Sequence, residues 1–273
     1  MPRPFSEGKQ IHIDCKKGDL AEYLLVPGDP DRVQKIASFW GSAREVSSHR
    51  EFRSYTGKYL NVPISALSSG IGPACMAIVV NEAANVGVNT FIRVGSAGAI
   101  RKDIEIGDLI ISSAAVRLDG TSNCYVLPEY PAVASYEVLL ALVEAAESLG
   151  INNYHVGVTA TTADFYAGQS RPTKTMGVQM ENLMPTLQKA GVLNFEMETA
   201  TLYTLASLYG LRAASVCAVF ANRCTGTFKT GASEEEAIRI ANHAVKILHE
   251  WDEVKRKKNK QWLFPSLLRS KHI

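Results

Sequence analysis

Phe91-Ile92-Arg93-Val94-Gly95-Ser96-Ala97-Gly98-Ala99 is the stretch on which the fold turns. Phe91, Ile92 and Val94 are β-formers following a helical pattern, so the spacing predicts a central strand that stops at Gly95 and opens into a loop of small residues. Arg93 interrupts the apolar run. A guanidinium in a strand buried on both faces is costly unless an anion meets it. Two readings stand side by side: an internal arginine–carboxylate pair, or an anion site at the carboxyl end of a parallel strand, where open α/β sheets place their ligands.

Working outward, Tyr23-Leu24-Leu25-Val26 reads as a short buried strand, followed by Pro27-Gly28-Asp29-Pro30-Asp31-Arg32-Val33. Pro30 suits a first helical turn, and Asp29 or Asp31 can cap the helix expected to run to about residue 40. Strand, glycine turn and helix amino terminus together make an anion-binding geometry, because free N–H groups and the helix dipole point the same way. Arg32 adds a charged fork to it, or is a surface arginine on an ordinary turn. Residues 45–69 alternate in the β sense and predict a hairpin or meander, in which Arg50 and Arg53 serve as solvated cross-strand partners. Ser69-Gly70-Ile71-Gly72-Pro73 then leads into a helix over residues 74–84.

Further strands are expected over residues 107–111 and 155–160, with an amphipathic helix over 136–149 between them. Residues 161–173 form an irregular segment holding Phe165, Tyr166, Gln169 and Arg171. An amide and a guanidinium beside two aromatic rings can read and stack a planar heterocycle; the plain reading is a polar loop. Residues 174–190 read as helical, followed by Leu193-Asn194-Phe195-Glu196-Met197-Glu198 at a strand-to-helix junction. The two carboxylates there can accept from sugar hydroxyls, act as acid and base, or simply answer a helix dipole. A last buried strand over 213–221 ends in Asn222-Arg223 and is followed by a Gly/Thr-rich loop and a helix over 233–258. Near the amino terminus, the alternation Gln10-Ile11-His12-Ile13 predicts an arm or edge strand, with His12 a surface histidine. Lys255-Arg256-Lys257-Lys258 and Lys260 read as a solvated helix end, which divides the chain into one domain over 1–258 and a basic carboxyl-terminal extension over 259–273.

Composition narrows the function. With 29 basic and 27 acidic residues, the net charge of +2 is too balanced for a nucleic-acid surface, so any phosphate recognition must be local. Five scattered cysteines without a C-x-x-C pair or a Cys/His cluster of metal spacing read as reduced thiols, and with no signal-type segment the expectation is a cytoplasmic protein. No apolar run reaches the ~18 residues of a spanning helix, so no membrane partner is expected.

The sequence resembles the uridine-phosphorylase branch of the nucleoside phosphorylase family. The residues that carry the resemblance are the Pro27–Val33 turn, Ser48-His49-Arg50-Glu51-Phe52, Ile92 to Ile100, Val116-Arg117-Leu118-Asp119-Gly120, Phe165-Tyr166 with Gln169 and Arg171, Phe195-Glu196-Met197-Glu198, and Asn222-Arg223. It implies a single-domain, three-layer α/β fold around a mixed, distorted barrel-like sheet. It also implies a pentosyltransferase that converts uridine with phosphate to uracil and ribose 1-phosphate in pyrimidine salvage, with deoxyuridine and thymidine as the further substrates to consider. By position, Gly28, Arg32, Arg50, Arg93 and Ser96 would hold phosphate; His12, Glu196, Met197 and Glu198 would bind ribose; Phe165, Gln169, Arg171 and Arg223 would take the base. Arg93, Arg171 and Glu198 would carry the catalysis. Arg50 and His12 would come from a neighbouring subunit of a homohexamer built of dimers. Phosphate is a co-substrate in this scheme, and no cofactor is expected.

Departures from the family pattern accompany the resemblance. Ala97 stands where relatives carry a hydroxyl near the ribose, and Cys75 where they use a serine at an interface cation site, which removes the basis for expecting bound potassium. Pro172 replaces an aromatic, and residues 224–232 form the expected lid without a readable counterpart. The rival readings are a purine nucleoside phosphorylase, which would use an aspartate where Asn222 stands, a water-using nucleosidase, which has no use for three arginines, and a catalytically weak nucleoside-binding protein on the same scaffold.

Overall fold

A computed structural model describes residues 8–174 and 182–268. Its strands are β1 (Tyr23–Val26), β2 (Ser42–His49), β3 (Phe52–Tyr59), β4 (Val62–Leu67), β5 (Thr90–Ala99), β6 (Leu109–Leu118), β7 (Ala132–Val133), β8 (Tyr154–Thr162), β9 (Asn194–Glu196), β10 (Arg212–Asn222) and β11 (Thr227–Phe228). The helices are α1 (Pro30–Ala37), α2 (Pro73–Asn85), α3 (Tyr136–Ser148), α4 (Leu183–Lys189), α5 (Thr199–Leu208), α6 (Glu234–Lys257) and α7 (Pro265–Leu268).

Pairing closes five strands into a ring: β5 with β10, β10 with β6, β6 with β8, β8 with β9, and β9 back to β5. The ring mixes parallel and antiparallel ladders, which gives the distorted barrel that the family resemblance implies. From β5 the sheet runs on through β1 and β4 into the antiparallel β2–β3–β4 meander expected for residues 45–69. Strand β5 is apolar on both faces because both are covered. Ile92 and Val94 pack with α1, α3 and α6 in one core, and Phe91 packs with α2 and α5 in another. Along α6, Ala237, Ile240, Ala241, Ala244, Val245, Leu248 and Trp251 recur at helical spacing and are all buried on the first core.

Three expectations are corrected. Strand β5 does not stop at Gly95; it continues to Ala99, because β10 pairs with it as far as Ala99↔Asn222 while β9 pairs with Gly98 and Ala99 from the other side. No strand forms over residues 10–13, where the N–H groups of His12 and Ile13 both donate to Glu82 Oε2 at 3.0 Å and Asp14 turns the chain with φ 50°. Lys255 is not a solvated helix end: its Nζ lies 2.6 Å from Glu137 and 3.0 Å from Asp252. Beyond α6 the chain folds back, burying Leu263 and Leu267, and the Tyr136 hydroxyl donates to Leu263 O at 2.9 Å. Of the helix expected over 174–190, residues 183–189 are helical and 175–181 lie outside the described residues, as do 269–273 of the basic extension. Among the described residues no helix is long and apolar enough to cross a membrane.

Candidate active site

The carboxyl ends of β1, β5 and β9 open onto one cleft of about 880 Å³. Its floor is made by small residues. Gly28 follows β1, and a Cβ there would stand 3.2 Å from Gly70 O, so a side chain would push the β1–α1 turn and the 69–72 turn apart by a few tenths of an ångström. Asp29 caps α1 by accepting from Asp31 N at 2.9 Å, leaving Arg32 on the helix face turned into the protein. In β5, a Cβ on Gly95 would meet Arg93 Cζ at 2.8 Å and Cys217 Sγ at 2.7 Å. The glycine therefore makes the space in which the Arg93 guanidinium lies.

Arg93 is 3% exposed, and the question left open by its sequence is answered by two carboxylates. Its Nε donates to Glu196 Oε2 at 3.0 Å and its Nη2 lies 2.5 Å from Glu198 Oε2. Its Nη1 is buried with no hydrogen-bond partner among the described residues. The internal pair and a free donor thus coexist in one side chain. Burial opposes the charge on Arg93, but Glu198 and Glu196 outweigh it and hold its pKa above the usual arginine value.

The two glutamates differ in task. Glu196 Oε2 also accepts from the N–H groups of Glu198 and Thr199 at 2.8 and 2.9 Å, and Glu196 Oε1 accepts from the Thr161 hydroxyl. It caps α5 and anchors Arg93, which is the helix-dipole reading with an ion pair added. Glu198 accepts from Gly72 N at 2.6 Å and lines the cleft beside Met197. Burial first, with the charge of Glu196 adding, raises the Glu198 pKa against the pull of Arg93.

At the other end, Phe165, Gln169 and Arg171 line the same cleft. Arg171 Cζ sits 4.2 Å from the Phe165 ring centroid, a cation–π distance, and its buried Nε has no partner among the described residues. Gln169 Nε2 donates to Thr162 Oγ1 at 3.2 Å. Arg223 lies behind them: its Nη1 donates to Gln169 O at 2.9 Å, which steadies the turn carrying the amide. Burial lowers the pKa of Arg171, and burial together with the charge of Arg171 lowers that of Arg223.

Of the other expected residues, Ser96 lines the cleft beside Ala97, and Arg32 reaches it while bound to Glu234. Arg50 and His12 do not line it. Arg50 is exposed at the tip of the β2–β3 hairpin with φ 56°, and His12 Nδ1 is 2.6 Å from Glu82 Oε1. Residues 227–231 of the expected lid contribute Phe228, Thr230 and Gly231 to the rim. Sequence reading missed Thr161 and Glu234. The first is one of many threonines in a strand, and the second begins Glu234-Glu235-Glu236, which reads as ordinary first-turn charge.

Residues 22–250 match the sequence model of the Phosphorylase superfamily. The chain is 58% identical over 263 residues to a uridine phosphorylase of Thermococcus kodakarensis, covering 96% of this chain and 94% of that one. It is 41% identical over 250 residues to the uridine phosphorylase of Escherichia coli, covering 90% and 97%, and 35% identical over 251 residues to a guanosine phosphorylase of Halorubrum lacusprofundi, covering 88% and 99%. With this similarity spanning nearly the whole length, and a closed mixed barrel around a cleft of arginines and glutamates, the chain belongs to the Phosphorylase superfamily.

Proposed function

We propose that this protein is a pentosyltransferase that carries out the reversible phosphorolysis of uridine to uracil and ribose 1-phosphate. The observation that carries the reading is one cleft with three chemically distinct stations: cations and small residues at Gly28, Arg32, Arg93 and Ser96, a buried carboxylate at Glu198, and an amide with a guanidinium at Gln169 and Arg171. Phosphate fits the first, where Arg93 Nη1 is a buried donor with no partner among the described residues. Ribose hydroxyls fit Glu198 and Met197, with Glu196 holding Arg93 in place. The uracil edge offers a carbonyl–NH–carbonyl pattern that Gln169 and Arg171 can match, with Phe165 against the ring.

In the reaction, a phosphate oxygen bonds to C1′ as the C1′–N1 bond breaks, and the electron pair leaves with uracil. The sugar becomes oxocarbenium-like and the base gathers negative charge. Arginines place the anionic nucleophile, so no covalent enzyme intermediate is needed. Arg171 meets the charge on the departing base and Glu198 faces the positive ribose. Phosphate is the co-substrate, and the chemistry calls for no cofactor. At Cys75, Sγ donates to Glu51 Oε1 at 3.6 Å; a thiol is a poor partner for a hard alkali cation, so potassium is not assigned there.

The purine alternative is disfavoured by Asn222. Its Nδ2 donates to Arg101 O and Ile104 O at 2.9 and 2.6 Å, and its Oδ1 accepts from Cys224 N at 2.8 Å, so the side chain serves the backbone and carries no acid for a purine ring. Self-association completes the site in this scheme. The hairpin tip of Arg50 and the arm bearing His12 stand outside the chain's own cleft, and a neighbouring copy would bring them to it. The test is base release from uridine and from guanosine, with and without phosphate. Uracil release that requires phosphate is the expected result; phosphate-independent release, or purine-only activity, would overturn the reading.

A further inference from the structure

We infer that Glu234, at the amino end of α6, is a positioning residue for phosphate: it grips Arg32 by one edge and so fixes the guanidinium whose remaining N–H groups serve the cleft. The inference rests on Arg32 being a phosphate ligand, as proposed above. Arg32 Nε and Nη2 lie 2.9 and 2.8 Å from the same Glu234 oxygen, Oε2, and Arg32 Nη1 donates to Val94 O at 3.1 Å. A guanidinium has five N–H groups in a planar fork. Glu234 takes the side edge and Val94 O takes one terminal hydrogen, which leaves one N–H on each terminal nitrogen. Those two remain to donate charge-assisted hydrogen bonds to a phosphate.

The surroundings favour a permanent brace over a stand-in anion waiting to be displaced. Glu234 Oε1 is engaged separately by Lys35 Nζ at 2.6 Å, so the carboxylate is shared between two cations and leaves net positive charge for an incoming phosphate. The Arg32 and Glu234 side chains are only 7% and 12% exposed, and both line the cleft. Burial works against ionised Glu234, but Lys35 and Arg32 outweigh it and lower its pKa, which keeps the brace charged across the neutral range. Thr230 and Gly231, on the cleft rim, lie within four residues of Glu234, so the brace ties the expected lid to the phosphate end of the site.

The experiment is Glu234→Gln, with Glu234→Asp as a second variant that keeps the charge but shortens the reach. A carboxamide can still accept one hydrogen bond but cannot serve both cations. The expected result for Glu234→Gln is a KM for phosphate raised on the order of tenfold. kcat and the KM for uridine should stay within about twofold, and the melting-temperature rise given by inorganic phosphate should shrink. Glu234→Asp should fall between the two. An unchanged KM for phosphate would overturn the inference, and so would a lowered one, which would mean that Glu234 competes with phosphate. Equal losses for both substrates would mark a merely structural ion pair and also overturn it. Calorimetric binding of inorganic phosphate to wild type and variant reads the brace directly. A wild type that binds phosphate yet leaves uridine intact would count against the proposed function alone.

Discussion

The guanidinium of Arg93 ends 2.5 Å from Glu198 Oε2, with side-chain exposures of 4% and 5%. A second carboxylate, Glu196, holds the same guanidinium by its Nε. Removing the arginine strands two buried carboxylates at once. Arg93→Ala should therefore lower unfolding free energy by about 3–5 kcal/mol, the cost of breaking a buried pair. Turnover at saturating phosphate should fall on the order of 100-fold or more. Urea unfolding and steady-state assays check both, and near-wild-type turnover would contradict the assignment.

Arg171 behaves differently because it is no structural keystone. It stacks at 4.2 Å on Phe165, and its Nε has no partner among the described residues. Arg171→Lys keeps the charge but loses the planar fork and the stack. The expectation is a drop in kcat on the order of 100-fold with the melting temperature nearly unchanged. Equal kcat values for variant and wild type would remove Arg171 from the leaving-group role.

Arg50 offers a substitution whose two effects point in opposite directions. Its φ of 56° is a conformation glycine adopts freely. Arg50→Gly should stabilise the fold by up to ~1 kcal/mol. If the hairpin tip of one copy completes the cleft of another, the same change should raise the KM for phosphate. A melting scan beside phosphate titrations separates the two effects, and an unchanged KM would leave the site within one chain.

At the opposite ends of the strands, Asp252 accepts from Arg212 Nη2 at 2.7 Å and from the Tyr23 hydroxyl at 2.6 Å. Burial opposes its charge, but the hydrogen bonds and charge of Arg212 outweigh that and bring its pKa down to about 2. A depressed carboxylate stabilises the fold fully above its unfolded pKa of roughly 4 and loses that contribution as pH falls towards the folded value. Asp252→Asn should cost on the order of 1–2 kcal/mol at pH 7 after allowance for partial exposure. The gap between variant and wild type should narrow as pH falls from about 4 towards 2. Denaturant unfolding at several pH values, over the range where wild type stays folded, tests the sign.

Local sequence was a good guide wherever the governing physics is local. The β2–β3–β4 meander follows from alternation, the start of α1 from Asp29-Pro30, and α6 from its apolar stripe. It misjudged β5 because Gly95, Ser96, Ala97 and Gly98 look like a loop, and only partners on both sides make them a strand. It misjudged residues 10–13 because the group that accepts their N–H donors, Glu82, lies about 70 positions away in the chain.

By itself, then, the sequence determined which chemistry was available: a buried arginine in an apolar strand, glycines at turns beside it, two glutamates one residue apart, and an amide near a guanidinium. Residue type sets charge, hydrogen-bonding capacity and backbone freedom, and these do not depend on the fold. Tertiary structure decided how those groups are shared. It gave Arg93 two carboxylates and one free donor, turned Glu196 into an anchor for α5, and set Glu234 on the edge of Arg32. The reason is distance. A hydrogen bond is made or lost within a few tenths of an ångström; the closed ring of β5, β10, β6, β8 and β9 brings Arg93 that near to Glu196, and the packing of α1 and α6 on the same core brings Arg32 that near to Glu234.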